Sequence, residues 1–286
     1  MTKTPDGLPT LSDIIREHGL SARKGLGQNF ILDLNLTRRI ARAAGSLEGI
    51  NVIEVGAGPG GLTRALLLEG AAKVIAVERD DRCIPILEQI AEHYPGRLDI
   101  VRGDALELDL SAIAPSPARI VANLPYGAST ELLARWLSVE PWPPWYDRMV
   151  LMFQREVAER IIAPPGNKTY GRLSVLAQWR SSPRIILTLP PRAFTPAPKV
   201  ESSLVEFVPR AKPEPAGSID ALQKVVAAAF GQRRKMLRQS LKTLIQKPEN
   251  TLENAGIDPS LRAEALNVSQ FCALAQIWHD NNIYYQ

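Results

Sequence analysis

The segment Ile120-Val121-Ala122-Asn123-Leu124-Pro125-Tyr126 carries an apolar run straight into an amide, a proline and a phenol. A turn is the plain reading of Asn-x-Pro-Tyr, because Asn and Pro both favour chain reversal. A chemical reading is also open. An exocyclic amine on an aromatic base is a poor nucleophile, since its lone pair is delocalised into the ring. The Asn123 side-chain oxygen and the Leu124 carbonyl are two acceptors able to take the amino hydrogens and favour a more pyramidal nitrogen. Pro125 restricts the backbone between them and Tyr126, whose ring offers a face for an unstacked base. No general base is required, because the proton becomes acidic only once the nitrogen is alkylated. The four residues suit methylation of an amine, and nicotinamide chemistry has no use for them.

A second constellation lies upstream. Residues 52–63, Val-Ile-Glu-Val-Gly-Ala-Gly-Pro-Gly-Gly-Leu-Thr, set Gly56, Gly58 and Gly61 between a strand and a helix. Glycines there permit a tight turn and close approach of a ligand to the helix N-terminus. The next strand ends on Glu78, within reach of a ribose, and the third runs into Asp104, which is placed to accept from an adenine amino group. Taken singly, each acid reads equally well as a turn or cap residue. Three consecutive strands ending in Gly, Glu and Asp mark the sheet edge where such folds bind ligands. The pattern suits NAD and any other adenosine-bearing cofactor alike.

The elements needed to hold these residues follow from periodicity. Short β-branched runs at 51–56, 73–78, 98–103, 119–124 and 148–153 alternate with helical patterns at 62–69, 81–93, 130–137 and 155–162. Helices are also expected over 11–18 and from an Asp33 cap to Ala44, on either side of a glycine-punctuated basic loop at 21–32. Such alternation implies an α/β, Rossmann-like fold with a mostly parallel sheet covered on both faces. Strands at 184–190 and 202–209 follow, and they read as an antiparallel closure of one edge, making seven strands in all. Residues 210–218, Arg-Ala-Lys-Pro-Glu-Pro-Ala-Gly-Ser, have linker composition. Helices are expected beyond it around 219–246, 249–255, 260–265 and 269–281. The reading is a domain over 1–210 and a small helical domain over 211–286.

Composition bounds the rest. The chain has 286 residues, 45% hydrophobic and 22% charged, which is ordinary globular material. No uncharged run reaches the ~18 residues of a membrane span, and the first ten residues lack the apolar core of a signal peptide. Two distant cysteines, Cys83 and Cys272, suggest no disulfide framework, so a cytoplasmic location is expected. His18, His93 and His279 have no metal-ligand spacing, so no metal is expected. The net charge is only +4, yet residues 224–247 carry seven Lys/Arg and no acid. That cluster reads either as a solvated helix face or as a phosphate-binding surface. A monomer is expected, since no long apolar helix face is left over. The Trp/Pro-rich stretch 141–148 has no functional reading.

The chain resembles the ribosomal RNA adenine dimethyltransferases, and within them the bacterial 16S small-subunit methyltransferase A (KsgA/RsmA) family. The resemblance is carried by Lys-Gly-Leu-Gly-Gln-Asn-Phe-Ile-Leu-Asp at 24–33, the glycine turn at 54–63, Gly-Asp-Ala-Leu at 103–106 and Asn-Leu-Pro-Tyr at 123–126. It continues through 154–161, 170–175, Phe-Thr-Pro-Ala-Pro-Lys-Val at 194–200 and 229–242. It implies a class I S-adenosylmethionine-dependent methyltransferase fold, with Asn29, Ile31, Gly56, Gly58, Glu78, Asp104 and Asn123 around the cofactor. It further implies that Phe194 sandwiches the target base opposite Tyr126; taken alone, Phe194 reads as a core residue. Arg233, Arg234, Lys235 and Arg238, with Arg23 and Lys24, become the expected RNA contacts. The implied substrate is 16S rRNA in the small ribosomal subunit, dimethylated at N6 of two adjacent adenosines near its 3′ end. A 23S-directed resistance methyltransferase and a non-catalytic assembly factor are the alternatives. Arg79, after the ribose acid, reads as variable surface.

Overall fold

The computed structural model describes residues 4–114 and 116–283, except for the side chains of Lys24 and Ile283. The N-terminal part begins with α1 (Leu11–Glu17) and α2 (Leu34–Ala43), the latter capped by Asp33, whose carboxylate accepts from Asn35 and Leu36 N–H. An alternating series follows: β1 (Asn51–Val55), α3 (Gly61–Leu68), β2 (Lys73–Glu78), α4 (Ile84–His93), β3 (Leu98–Arg102), α5 (Leu110–Ile113), β4 (Ala118–Ala122), α6 (Ser129–Leu137), β5 (Tyr146–Gln154), α7 (Arg155–Ile162). Then come α8 (Arg172–Arg180), β6 (Ser181–Leu189), β7 (Ser202–Pro209), α9 (Ile219–Gly231), α10 (Leu237–Ser240), α11 (Pro248–Asn254) and α12 (Val268–Ile283).

The strands form one seven-stranded sheet in the order β3-β2-β1-β4-β5-β7-β6. Pairings from β3 through to β5 are parallel, and β7 is antiparallel to β5. The central strands are apolar and buried almost throughout, as a sheet covered on both faces requires. Strand order reverses between β1 and β4, which opens a crevice beyond the carboxyl ends of those strands. Glu206, buried on β7, is flanked by Arg148 of β5 and Arg184 of β6. That carboxylate would be costly to bury without such partners.

The chain forms two compact units. The first holds residues up to Leu133 with Pro144–Ala158 and Arg184–Val208; the second holds Ala134–Pro143, Glu159–Pro183 and Pro209 onward. In the second unit the Arg180 guanidinium lies between the rings of Trp142 and Trp179, 4.3 and 4.2 Å from their centroids, and pairs with Glu140 at 2.5 Å. Trp142 Nε1 also donates to the Arg210 carbonyl at 2.6 Å. The Trp/Pro-rich stretch is therefore in part a clamp on a buried arginine.

Several elements differ from the sequence reading, among them the four-residue α5, which lies where no helix is expected. Helix α8 was not anticipated, because it is buried on nearly every side and shows no polar stripe. The helix expected over 219–246 breaks after Gly231. Leu237 and Arg238 N–H instead donate to the carbonyls of Leu261 and Pro259, at 2.7 and 3.1 Å. Tertiary hydrogen bonds thus replace helical ones, and Arg233, Arg234 and Lys235 fall in a turn. The helix expected at 260–265 is only a 3-10 turn over Ala263–Ala265.

Candidate active site

A cavity of about 490 Å³ occupies the crevice, within the size range of cofactor sites. Its walls are the turn after β1, the ends of β2 and β3, residues 123–128 after β4, and the loop 25–31. All of these belong to the first unit.

The glycine turn is shaped by close approach. Gly58 has φ +54°, and its N–H donates to Glu78 Oε2 at 2.6 Å. A Cβ on Gly61 would meet the Ile31 carbonyl oxygen at 2.8 Å, so the helix start and the 25–31 loop touch through bare backbone. Glu78 Oε1 accepts the N–H groups of Arg79 and Asp80 at 2.9 and 2.7 Å. Burial pushes the Glu78 carboxyl above the usual range, against the pull of these three donors. A carboxylate offers roughly four acceptor positions, so one remains for a ribose hydroxyl. Accepting two hydroxyls would require one of the three present bonds to be given up.

Asp104, at the end of β3, accepts from Leu106 N–H at 3.0 Å and from Arg79 Nη1 at 2.8 Å. The backbone bond and then Arg79 hold its carboxyl below the usual range. Asn29 and Ile31 line the cavity from the opposite loop. That loop is tethered: Gln28 donates to Asp80 Oδ2 at 2.8 Å, while Arg82 chiefly holds the Asp80 carboxyl down to about 2.

Asn123 Nδ2 donates to the Asn29 carbonyl at 3.0 Å. This bond settles the amide orientation and leaves Oδ1 without a donor among the described residues, as it leaves the Leu124 carbonyl. Pro125 is wedged between two glycines: Cβ atoms built on Gly27 and Gly56 would sit 3.6 and 3.5 Å from its ring. The Tyr126 hydroxyl hydrogen-bonds Ser202 Oγ at 2.6 Å, and its half-buried ring lines the cavity.

Phe194 is placed differently. It is 3% exposed, packed in the hydrophobic core, and does not line the cavity. The structure thus brings Asn123, Leu124, Pro125 and Tyr126 to the cofactor crevice, but not Phe194, whose reading as a core residue matches its burial here. Of the basic candidates, Arg23, Arg234, Lys235 and Arg238 are exposed. Arg233 is half-buried and donates to the Lys168 carbonyl at 2.7 Å. The Lys24 side chain lies outside the described residues.

Sequence reasoning passed over three site residues. Glu54, 2% exposed, lines the cavity from β1 and accepts from Thr63 Oγ1 at 2.5 Å. Burial pushes its carboxyl up to about 8, opposed by Thr63 and reinforced by Glu78. An acid inside the apolar run Val-Ile-Glu-Val was its signal. Gln28 and Arg79 carried none, because their partners are 52 and 25 residues away. No group of three metal-ligating side chains and no helix long and apolar enough to cross a membrane occurs among the described residues.

The model of the family described as ribosomal RNA adenine dimethylase matches residues 19–280. A relative from Chelativorans sp. (strain BNC1), "Ribosomal RNA small subunit methyltransferase A", is 61% identical over 273 residues, covering 95% of this chain and 98% of that one. Among solved structures, a dimethyladenosine transferase from Plasmodium falciparum superposes with a TM-score of 0.70 at 24% identity, over 83% of this chain and 93% of its own. The 23S rRNA methyltransferase ErmE gives a TM-score of 0.65 at 25% identity, over 87% and 99%. With Asn-Leu-Pro-Tyr at the mouth of a glycine-turn crevice and near-complete coverage at such identity, the chain belongs to the ribosomal RNA adenine dimethylase family.

Proposed function

We propose that this enzyme transfers methyl groups from S-adenosylmethionine to N6 of two adjacent adenosines near the 3′ end of 16S rRNA, giving N6,N6-dimethyladenosine. The observation that carries the chemistry is the Asn123–Asn29 hydrogen bond. It spends the amide's donor end on the cofactor loop, so that Oδ1 and the Leu124 carbonyl remain as the two acceptors for an adenine amino group. Tyr126, held by Ser202, supplies the face for the extruded base. After one methylation a single N–H is left, and one of the two acceptors suffices to orient it.

The cavity's charge supports the cofactor. Among its described lining residues are three acids, Glu54, Glu78 and Asp104, of which buried Glu54 keeps its proton up to about pH 8, and one cation, Arg79. Such a site suits a sulfonium with an ammonium group and disfavours the pyrophosphate of a dinucleotide. Glu78 would hold the ribose, Asp104 the adenine amino group, and Asn29 and Ile31 the methionine end. When bound, S-adenosylmethionine supplies the electrophilic methyl group.

The small-subunit branch is favoured over the 23S branch by the identities, 61% against 25%. The basic turn 233–235 and Arg238 in the second unit would meet phosphates of the ribosomal particle, with Arg23 and Lys24 near the cofactor loop. The test is incorporation of tritiated methyl groups into unmodified small and large ribosomal subunits, followed by nucleoside analysis. Label in dimethyladenosine from small subunits alone is expected. Label from large subunits would move the chain to the 23S branch, and no label despite cofactor binding would leave an assembly role.

A further inference from the structure

We propose that Arg64 is a positioning residue for the cofactor crevice: buried on the first turn of α3, it anchors segment 4–10 so that Leu11 closes the cavity wall against Gly61. The inference rests on the reading of the crevice as an S-adenosylmethionine site, and it concerns a residue that does not itself line the cavity. Arg64 is 1% exposed, and its guanidinium is spent on segment 4–10. Nε and Nη2 donate to the two oxygens of Asp6 at 2.7 and 2.6 Å. Nη2 also donates to Thr4 Oγ1 at 2.9 Å, and Nη1 to the Pro9 carbonyl at 2.8 Å. The Asp6 side chain is as buried as its partner. A lysine ammonium cannot grip both carboxylate oxygens side by side in this way.

Segment 4–10 runs directly into α1. Thr10 caps that helix, accepting from Asp13 N–H, and Leu11 is its first residue. Leu11 lines the cavity, and a Cβ on Gly61 would meet its Cδ2 at 2.9 Å and the Ile31 carbonyl oxygen at 2.8 Å. The first residue of α3 is thus covered by Leu11 and by the cofactor loop, while Arg64, on the same turn, holds the segment that delivers Leu11. Packing alone does not fix this wall. A second cavity of about 200 Å³ lies beside it and shares Leu11, Ile31, Thr37 and Gly61 with the first. With space on both sides, Leu11 keeps its place through the anchor next to it in the chain. A buried ion pair is often no more stabilising than an apolar pair of similar volume; what this one supplies is a fixed path for the segment.

The test is calorimetric binding of S-adenosylhomocysteine to the wild type, Asp6→Ala, Leu11→Ala and the double variant. Glu69→Ala is the control, since it breaks the pairs with Arg38 and Arg42 at the far end of the same helix. Thermal melts fix a temperature at which all are folded. If release of the segment leaves the wall closed in about a tenth of the molecules, apparent affinity falls about tenfold. Asp6→Ala and Leu11→Ala should each show a loss of about that size, the double variant no more than the larger of the two, and Glu69→Ala none. The kcat at saturating cofactor should stay near that of the wild type, because bound cofactor restores the closed wall. Asp6→Asn, which keeps one acceptor oxygen, should lose less, and it replaces Asp6→Ala should that variant not fold. Unchanged affinity in the Asp6 variant, losses that add in the double variant, or an equal loss in Glu69→Ala would overturn the proposal. A wild-type protein that binds no S-adenosylhomocysteine would instead bring down the cofactor reading itself, and the proposal with it.

Discussion

Phe30 and Thr195 exchange both of their backbone hydrogen bonds, Phe30 N–H to the Thr195 carbonyl at 2.9 Å and Thr195 N–H to the Phe30 carbonyl at 2.8 Å. The loop over the cofactor crevice is thereby joined to the segment that carries Phe194. Asn123 grips the neighbouring Asn29 carbonyl, so three segments meet within a few residues. Binding at one is expected to order the others.

Hydrogen exchange followed by mass spectrometry should show this coupling. Adding S-adenosylhomocysteine should slow exchange both in peptides covering 24–31 and in peptides covering 190–198. Protection confined to the first would mean that the bridge transmits nothing.

Asn123→Ala should lower kcat for methyl transfer about 10- to 100-fold, the worth of a hydrogen bond to a group developing charge (about 1.5–3 kcal/mol). Asn123→Asp keeps an acceptor but loses the donor to Asn29, so it should also raise the KM for cofactor. Single-turnover rates at saturating cofactor separate the two effects. Near-normal transfer by the alanine variant would remove the orienting role.

Tyr126→Phe keeps the ring and loses only the bond to Ser202. It should retain most of kcat/KM for the RNA substrate. Tyr126→Ala should lose about 1–3 kcal/mol of it, the value of a base–aromatic stack. Equal losses in the two variants would show that the hydroxyl, not the ring face, is what matters.

Glu54 gives stability a pH dependence of known sign. Its carboxyl is raised by burial to about 8 in the folded protein, above the ordinary value of 4.5. The folded state therefore holds a proton that the unfolded state has released between these limits. Stability from this group is fully present below about pH 4.5 and is lost as pH rises through about 8. Urea unfolding of the ligand-free protein from pH 5 to 9 should show that decline, and Glu54→Gln should flatten it. A cation bound nearby favours the ionised form, so affinity for S-adenosylmethionine should rise over the same interval.

Arg234 and Lys235 are exposed in the turn after α9. If each meets a phosphate, replacing either by Ala should lower the slope of log K against log salt by about 0.7–0.9. Filter binding to small subunits at several salt concentrations measures it. Arg233, already bonded to the Lys168 carbonyl, should also lose stability when replaced. Unaltered slopes for Arg234 and Lys235 would return that turn to ordinary solvated surface.

What could be read along the chain was whatever depends on near neighbours. The alternation of buried strands with amphipathic helices, the Asp33 cap and the strand-to-Asn-Leu-Pro-Tyr junction all follow from periodicity and residue type, and the structure has them at or within a few residues of the expected positions. Resemblance added Asn29 and Ile31, which do line the crevice. Other features depended on partners far away in sequence. Helix α8 lacks a polar stripe because neighbours cover it on nearly all sides, and the break after Gly231 is drawn by carbonyls at Pro259 and Leu261. Arg79, which follows Glu78, reads as surface in the sequence but stands 2.8 Å from Asp104 in the structure, and Phe194, an aromatic expected to face a target base, lies 3% exposed in the core. A side chain's type limits the chemistry it can perform. Which of those possibilities it realises depends on the atoms that folding brings within three ångströms or so of it.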